Sequence, residues 1–177
     1  MLVMGVDPGT ARLGYGLVAL KGTRASWVTH GCLTPPAKAS PAERLLYLAE
    51  NLRQIIRAHS PEVVSVEKLF FSRNVTTAIS VGQARGVALL SAAEAGLPVR
   101  EFTPGEVKLA VTGYGKADKA QVQFMVKTIL GLRETPEPDD AADALAIAIC
   151  CLNTPVELTA AGTAGGGGRR YDRLGQR

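Results

Sequence analysis

The amino-acid sequence predicts an α/β domain in which a mixed five-stranded sheet carries helices on both faces. Short apolar runs bounded by turn residues predict the strands, and start signals predict the helices between them, in the order βββαβα, then βαα, then α. The fourth strand is flanked by helices and is therefore expected to run parallel to the first. With 177 residues, 46% of them hydrophobic, the chain is long enough to bury one substantial core.

Four of the five predicted strands lie in the first half of the chain. They cover Leu2–Val6, Gly14–Leu20, Ala25–Leu33 and Val63–Glu67. Lys21-Gly22-Thr23 fits a hairpin turn, so the first three strands are expected to pair antiparallel. Ser40-Pro41-Ala42-Glu43 is a capping box, and it predicts a helix from there to residue 58.

The second half of the chain is predicted to be mostly helical. A helix over 76–95 precedes the fifth strand at 99–102, and a second capping box, from Thr103 to Glu106, opens a short helix. Two more helices are predicted over 117–130 and 139–152. Residues 1–155 are therefore expected to form one domain, and the Gly/Arg-rich residues 156–177 are expected to be a disordered tail.

Composition narrows the class of protein. The net charge is +4, but four arginines and one aspartate place +3 of it in the last eighteen residues, so bulk charge is weak support for nucleic-acid binding. Three cysteines, two of them adjacent, fit neither a disulfide framework nor a zinc site, and they favour a reducing cytoplasm. No apolar run reaches 18 residues, so no membrane partner is expected.

Four acidic side chains stand where apolar sequence stops. Asp7 ends the first strand, Glu67 ends the fourth, and Asp140 and Asp143 open the last helix. A carboxylate at the edge of a core is costly unless something pairs with it, so acids from three segments are expected to meet. Oxygen ligands without a His or Cys beside them suit a hard cation such as Mg²⁺.

The segment after the first strand has more than one interpretation. Asp7-Pro8-Gly9-Thr10 fits a strand-end metal ligand, and Gly14 and Gly16 would then let a phosphate or ion approach the backbone. The same residues also fit a simple turn that closes a hairpin. They resemble, in addition, the phosphate-binding turn of actin-like and sugar-kinase ATPases.

The start of the last helix is also open to two interpretations. Acids in a first turn are favoured by the helix dipole and can simply cap the helix, and Asp139 is the natural capping residue by this logic. Asp143 is harder to explain as a cap, because the helix face that it begins continues into apolar sequence.

Basic residues near the acids form a second candidate group. Lys108 lies on the short helix, and Lys116 and Lys119 flank the start of the next one. A cation there opposes the helix dipole, a cost that a bound phosphate would offset. With three arginines these lysines are expected to form a basic rim around the acids, although a solvated surface is the simpler interpretation. The arginines are Arg73, Arg85 and Arg100.

A set of motifs in fixed order resembles the RuvC family of Holliday junction resolvases. The resemblance spans roughly residues 1–155. The motifs are Gly5-Val6-Asp7-Pro8-Gly9-Thr10, Gly14-Tyr15-Gly16, Val66-Glu67-Lys68-Leu69-Phe70, Gly82-Gln83-Ala84-Arg85-Gly86-Val87-Ala88, Val107-Lys108, Lys119-Ala120-Gln121-Val122-Gln123 and Asp140-Ala141-Ala142-Asp143-Ala144-Leu145-Ala146-Ile147-Ala148.

This resemblance implies a fold, a cofactor and a ligand set. The family has a ribonuclease-H-like fold, acts as a homodimer and uses Mg²⁺ or Mn²⁺, with two ions expected per subunit. It implies that Asp7, Glu67, Asp140 and Asp143 are the catalytic metal ligands. The Asp-Ala-Ala-Asp spacing of the family selects Asp140 over Asp139.

The resemblance also implies DNA contacts and partners. Phe70 matches the aromatic residue that stacks on bases at the junction centre, and Lys108 and Lys119 match active-site basic positions. Arg73 and Lys116 are expected to contact DNA as well. The implied partners are four-way junction DNA, a second copy of the chain and a branch-migration motor complex.

The implied activity is paired symmetric nicking of a four-way junction, which leaves 5′-phosphate and 3′-hydroxyl ends. Three alternatives remain at this point: an actin-like ATPase, for which the chain is too short, a related nuclease acting on RNA, and a non-catalytic junction-binding module. The helix bearing Gly82 and Gly86 is a candidate dimer surface, but close packing of that helix on the sheet would explain these glycines equally well.

Overall fold

The computed structural model describes residues 1–68 and 75–154, apart from the side chains of residues 75–77. Five strands form one sheet: β1 (Leu2–Asp7), β2 (Leu13–Lys21), β3 (Arg24–Leu33), β4 (Val63–Glu67) and β5 (Val99–Phe102). Their order across the sheet is β3-β2-β1-β4-β5. β1 pairs antiparallel with β2 and parallel with β4, so the predicted mixed sheet is confirmed.

Five helices complete the described part of the chain. They are α1 (Pro41–His59), α2 (Val75–Glu94), α3 (Pro104–Thr112), α4 (Lys119–Leu130) and α5 (Asp139–Asn153). None of these helices is long and apolar enough to cross a membrane. The predicted tail at 156–177 lies outside the described residues.

Two separate cores lie on the two faces of the sheet. On one face, side chains such as Met4 and Val64 pack with Leu48 of α1 and Ala88 of α2. On the other face α5 is buried along most of its length, with α3 and α4 packed against it. Successive strand residues point to opposite faces, so β1 and β4 can serve both cores.

Local sequence signals explain several element ends. The predicted capping boxes at the starts of α1 and α3 are both present, and Gly22 makes the β2–β3 turn with a φ of 61°. The predicted start of α4 at Ala117 is wrong by two residues. Asp118 and Gln121 form a third capping box, in which each side chain accepts a hydrogen bond from the other's backbone N–H, so the helix begins at Lys119.

Candidate active site

Two of the predicted acids lie at the same edge of the sheet, at the ends of neighbouring strands. Asp7 ends β1 and Glu67 ends β4, and these parallel strands are in register with Val6 opposite Val66. Side chains alternate along a strand, so Asp7 is on the same face as Gly5, which lies under α5. The carboxyl ends of adjacent parallel strands therefore bring both acids to the α5 side of the sheet.

The helix α5 brings in the other two acids because glycines let it lie directly on the sheet. A Cβ at Gly14 would clash with the carbonyl group of Asp140, and a Cβ at Gly5 would lie 2.8 Å from the nitrogen of Ala148. A Cβ at Gly16 would lie 2.9 Å from the nitrogen of Leu145. The prediction that Gly14 and Gly16 serve the approach of a phosphate or ion is thus wrong, because the backbone of α5 fills that space.

One cleft of about 340 Å³ collects most of the predicted site. Three of the acids line it, namely Asp7, Glu67 and Asp143, together with Lys108 and Lys119. Asp140 is not part of the lining, yet its charge is close enough to raise the pKa of Asp7. The four acids therefore share one electrostatic environment.

The carboxylates make one another costly to ionise. Burial and the nearby charges of Asp143, Glu67 and Asp140 raise the pKa of Asp7 to about 7. Burial and then the charge of Asp143 raise the pKa of Glu67, while Lys108 opposes this rise. Burial also raises the pKa of Asp143, against the effect of Lys119. Such a site is stabilised by added positive charge.

Basic side chains of the protein supply part of this positive charge. The Lys119 Nζ atom lies 3.1 Å from Asp139 Oδ2 and 3.2 Å from Asp143 Oδ2. The Arg12 Nε atom lies 3.1 Å from Asp140 Oδ2. The three acids in the first turns of α5 are therefore held by cations from two other parts of the chain, the β1–β2 loop and the start of α4.

The donor chemistry of this site fits a divalent cation. Every acid offers hard oxygen ligands, and Asp140 Oδ2 is buried without a hydrogen-bond partner in the part of the chain that the structure describes. Within residues 1–68 and 75–154 no three His, Cys, Asp or Glu side chains are already spaced to hold one ion.

Asp139 does not cap α5. The N-cap position is Pro138, and no side chain provides a capping hydrogen bond there. Asp139 instead accepts a 2.8 Å hydrogen bond from Gln123 Nε2 and pairs with Lys119. The capping prediction is wrong because two partners on α4 lie within reach, and Asp139 joins the start of α5 to α4.

Several predicted basic residues do not line the cleft. Arg85 pairs with Glu101, and Arg100 donates to the carbonyl oxygens of Cys151 and Thr154 at the opposite end of α5 from the acids. The prediction that these two arginines belong to a basic rim is therefore wrong. Lys116 is exposed in the α3–α4 loop and is not among the residues that line the cleft.

The predicted DNA contacts Phe70 and Arg73, and the neighbouring Phe71, lie outside the described residues. Two residues with clear roles at the site were missed from the sequence, Arg12 and Gln123. A cation in the short loop between Asp7 and Gly14 was the available signal for Arg12. The contact of Gln123 depends on how α4 packs against α5, and no local pattern indicates it.

Comparison with known proteins decides the family. Residues 3–151 match the family model of the crossover junction endodeoxyribonuclease RuvC. The chain belongs to the RuvC family. The predicted family is therefore confirmed, and the actin-like ATPase alternative falls.

Individual members of the family match over most of their length. The crossover junction endodeoxyribonuclease RuvC of Desulfitobacterium hafniense (strain DSM 10664 / DCB-2) is 59% identical over 150 residues, which covers 85% of this chain and 91% of that protein. The solved structure of Thermus thermophilus RuvC aligns with a TM-score of 0.80 at 38% identity, covering 86% of this chain and 94% of the other.

A second structure, of T. thermophilus RuvC in complex with a Holliday junction substrate, aligns with a TM-score of 0.81 at 40% identity, covering 85% and 92% of the two chains. These matches confirm the predicted ribonuclease-H-like fold. The predicted domain boundary at residue 155 stays a prediction, although the family match ends close to it.

Proposed function

We propose that this chain is a metal-dependent endodeoxyribonuclease that resolves four-way DNA junctions by paired symmetric nicks, in recombination and repair. The observation that carries the proposal is the convergence of Asp7, Glu67, Asp140 and Asp143 beside one basic-walled cleft, in a chain that belongs to the RuvC family. A relative at 40% identity has been solved in complex with a Holliday junction substrate.

The four acids would hold two ions of Mg²⁺ or Mn²⁺ per subunit. Bound there, the ions would supply an activated water and stabilise the leaving 3′-oxygen, which gives 5′-phosphate and 3′-hydroxyl ends. Asp7 comes from the central strand, and burial and the neighbouring acids raise its pKa to about 7, so it is our candidate for a ligand shared by both ions.

The basic residues would hold the DNA backbone at the cleft. Lys108 lines the cleft beside Glu67 and would contact the scissile phosphate. Lys119 orients Asp143 through its 3.2 Å ion pair and would also neutralise phosphate charge. Lys116 and Arg73 would add backbone contacts, and Phe70 would stack on bases at the junction centre.

A homodimer would place two identical sites on the two symmetric strands of a junction. α2 offers a surface for it: Ile79 and Leu90 are 59% and 53% exposed, and they lie on one face of the helix with exposed Gly86. A Cβ at Gly86 would meet no atom within 4 Å, so packing on the sheet does not require this glycine.

A partner and a location complete the proposal. A branch-migration motor partner follows from family resemblance alone. A cytoplasmic location follows from the three cysteines, all of which are free thiols and two of which are buried.

The experiment that tests the substrate class compares cleavage of a synthetic mobile four-way junction with cleavage of linear duplex DNA and of structured RNA. Each substrate is incubated with Mg²⁺, Mn²⁺ or EDTA. Paired symmetric nicks in the junction alone, and only with metal, are expected. Cleavage of the RNA in preference to the junction would favour the ribonuclease alternative, and junction binding without nicks in either metal would indicate a binding module.

A further inference from the structure

Arg12 makes an ion pair at the edge of the site that none of the family motifs includes. It lies between Thr10 and Gly14, in the loop from β1 to β2, and its Nε atom is 3.1 Å from Asp140 Oδ2. The side chain of Arg12 is 54% exposed, whereas that of Asp140 is only 26% exposed. The carboxylate is therefore fixed in the protein, and the arginine reaches it from the solvent side.

Charge holds this contact, without the alignment of a hydrogen bond. Asp140 Oδ2 is buried and has no hydrogen-bond partner among the described residues, although the Arg12 nitrogen is within hydrogen-bonding distance. A pair of this kind is modest in strength and easily exchanged for a better partner. The oxygen is thus available to another cation once the guanidinium moves away.

Among the residues that the structure describes, no second basic side chain pairs with Asp140. Lys119 pairs with Asp143 and Asp139, and the Asp140 carbonyl group is fixed above Gly14 of β2. The guanidinium charge of Arg12 also reaches neighbouring groups. Lys119 and Gln123 lower the pKa of Asp139 and Arg12 adds to this effect, whereas burial raises the pKa of Cys32 and Arg12 opposes that rise. Arg12 is therefore the cation that an incoming metal ion meets at Asp140.

We infer that Arg12 is a positioning residue that competes with a metal ion for the Asp140 carboxylate. The inference rests on the proposed metal site and adds to it a residue that raises the metal concentration needed to fill the site. Loss of the guanidinium removes both the competing partner and its repulsion of a divalent cation, so metal affinity increases. If Arg12 only supported the loop, its loss would leave the affinity unchanged or lower it.

The test is a titration of the full-length protein with Mn²⁺, without DNA, in which electron paramagnetic resonance measures the free ion. Arg12→Ala and Arg12→Gln are expected to bind Mn²⁺ about two- to five-fold more tightly than the unmodified chain, the range set by an exposed ion pair. Arg12→Lys keeps the charge and is expected to bind within about two-fold of the unmodified chain. The gain should shrink in 0.5 M salt, which screens the guanidinium.

Two controls separate this inference from the proposed metal site. Arg24→Ala removes the same charge from the exposed hairpin at the other end of β2 and should leave Mn²⁺ affinity unchanged. Asp7→Asn should remove the binding, and if it does not, the metal site itself is wrong. If binding depends on Asp7 but the two neutral Arg12 variants bind no more tightly, only the Arg12 inference is overturned. Failure of both neutral variants to fold, by circular dichroism, would show a structural role and overturn it as well.

Discussion

At the scale of single residues, the site is a set of charges that the folded protein tolerates poorly by itself. Asp7 is the extreme case, because burial and three neighbouring acids raise its pKa to about 7. Lys119 offsets part of the repulsion by pairing with Asp143, and Arg12 does the same at Asp140. The arrangement favours function over stability. Clustered carboxylates that resist losing their protons are stabilised by a bound cation.

The raised pKa of Asp7 predicts that, in EDTA, Asp7→Asn stabilises the protein by an amount that depends on pH. The folded pKa of Asp7 is about 7 and its ordinary value is 3.8, so the native state binds more protons between these values and its stability falls as pH rises through the interval. Above pH 7 the full cost is present, on the order of 4 kcal/mol. Urea unfolding of both proteins from pH 4 to 8 should show Asp7→Asn increasingly more stable than the unmodified chain.

Below pH 4 the two proteins should differ little by this mechanism, because Asp7 is then protonated whether the chain is folded or not. Parallel stability curves across the whole range would contradict the raised pKa. Addition of Mg²⁺ should reduce the advantage of the asparagine variant, since a bound ion stabilises the ionised form.

The residue scale also shows what sequence reasoning can find. Each acid was recognisable because it interrupts an apolar run, and that signal is local. The counter-ions were not, because the partner of Asp140 is Arg12, which lies more than 120 positions earlier in the chain. Asp139 was assigned to a cap for the same reason: the helix start was visible in the sequence, and Lys119 beside it was not.

At the scale of elements, the close packing of α5 on the sheet is the feature that assembles the site. Gly5, Gly14 and Gly16 form a patch without side chains on β1 and β2, and the backbone of α5 lies against it. Any side chain there would lift the helix and carry Asp140 and Asp143 away from Asp7. The glycines thus act on the chemistry through the position of a helix.

Gly14→Ala tests this role, with Gly105→Ala as the matched control. A Cβ at Gly14 meets the Asp140 carbonyl group, whereas one at Gly105 in α3 meets nothing within 4 Å. Gly14→Ala should destabilise the protein by about 1–3 kcal/mol, as overpacking does, and Gly105→Ala should be neutral or stabilising by up to about 1 kcal/mol. Urea unfolding measures both.

The two variants should differ in cleavage too. Gly14→Ala is expected to slow junction cleavage while the folded fraction still binds junction DNA, because the acids move and the phosphate contacts remain. Equal stabilities for the two variants would mean that α5 can shift at no cost. Such a result would contradict the claim that α5 needs a glycine at position 14 to pack on the sheet.

Element boundaries were predictable where the signal was a short-range hydrogen bond. The capping boxes of Ser40 and Thr103 involve only residues three apart, so both helix starts were correct. The same signal at Asp118 and Gln121 was overlooked, which misplaced the start of α4. The role of Gly14 depends on the register between β2 and α5, and periodicity in the sequence carries no information on that.

At the scale of the whole molecule, the sheet separates two functions. α5, α3 and α4 build the cleft on one face, and α2 on the other face presents its exposed apolar residues. The direction of the strands was predictable, since helices flanking β4 indicated that it runs parallel to β1. The sequence offers two explanations of the α2 glycines, a dimer surface and close packing of the helix on the sheet. Open space around Gly86 excludes close packing on the sheet as the explanation for that residue.

The dimer proposal predicts that Leu90→Glu produces a monomer. A buried, unpaired carboxylate in the centre of an apolar interface is costly, and Leu90 is 53% exposed in the single chain. Leu109→Glu is the control: Leu109 on α3 is similarly exposed, at 56%, but lies on the opposite face of the sheet. Sedimentation equilibrium should give a monomer for the first variant and a dimer for the second. A dimer in both cases would remove α2 from the interface.

The most direct measurement of the central claim compares cleavage with binding for four isosteric variants: Asp7→Asn, Glu67→Gln, Asp140→Asn and Asp143→Asn. Each is mixed with one mobile four-way junction in excess Mg²⁺, and single-turnover nicking and junction affinity are measured on the same sample. We expect every variant to lose at least about 100-fold in nicking, while its affinity stays within a few-fold, because phosphate contacts dominate binding. A variant that nicks at the rate of the unmodified chain would exclude that acid from the site, and loss of binding in a folded Asp7→Asn would contradict the division between catalysis and binding.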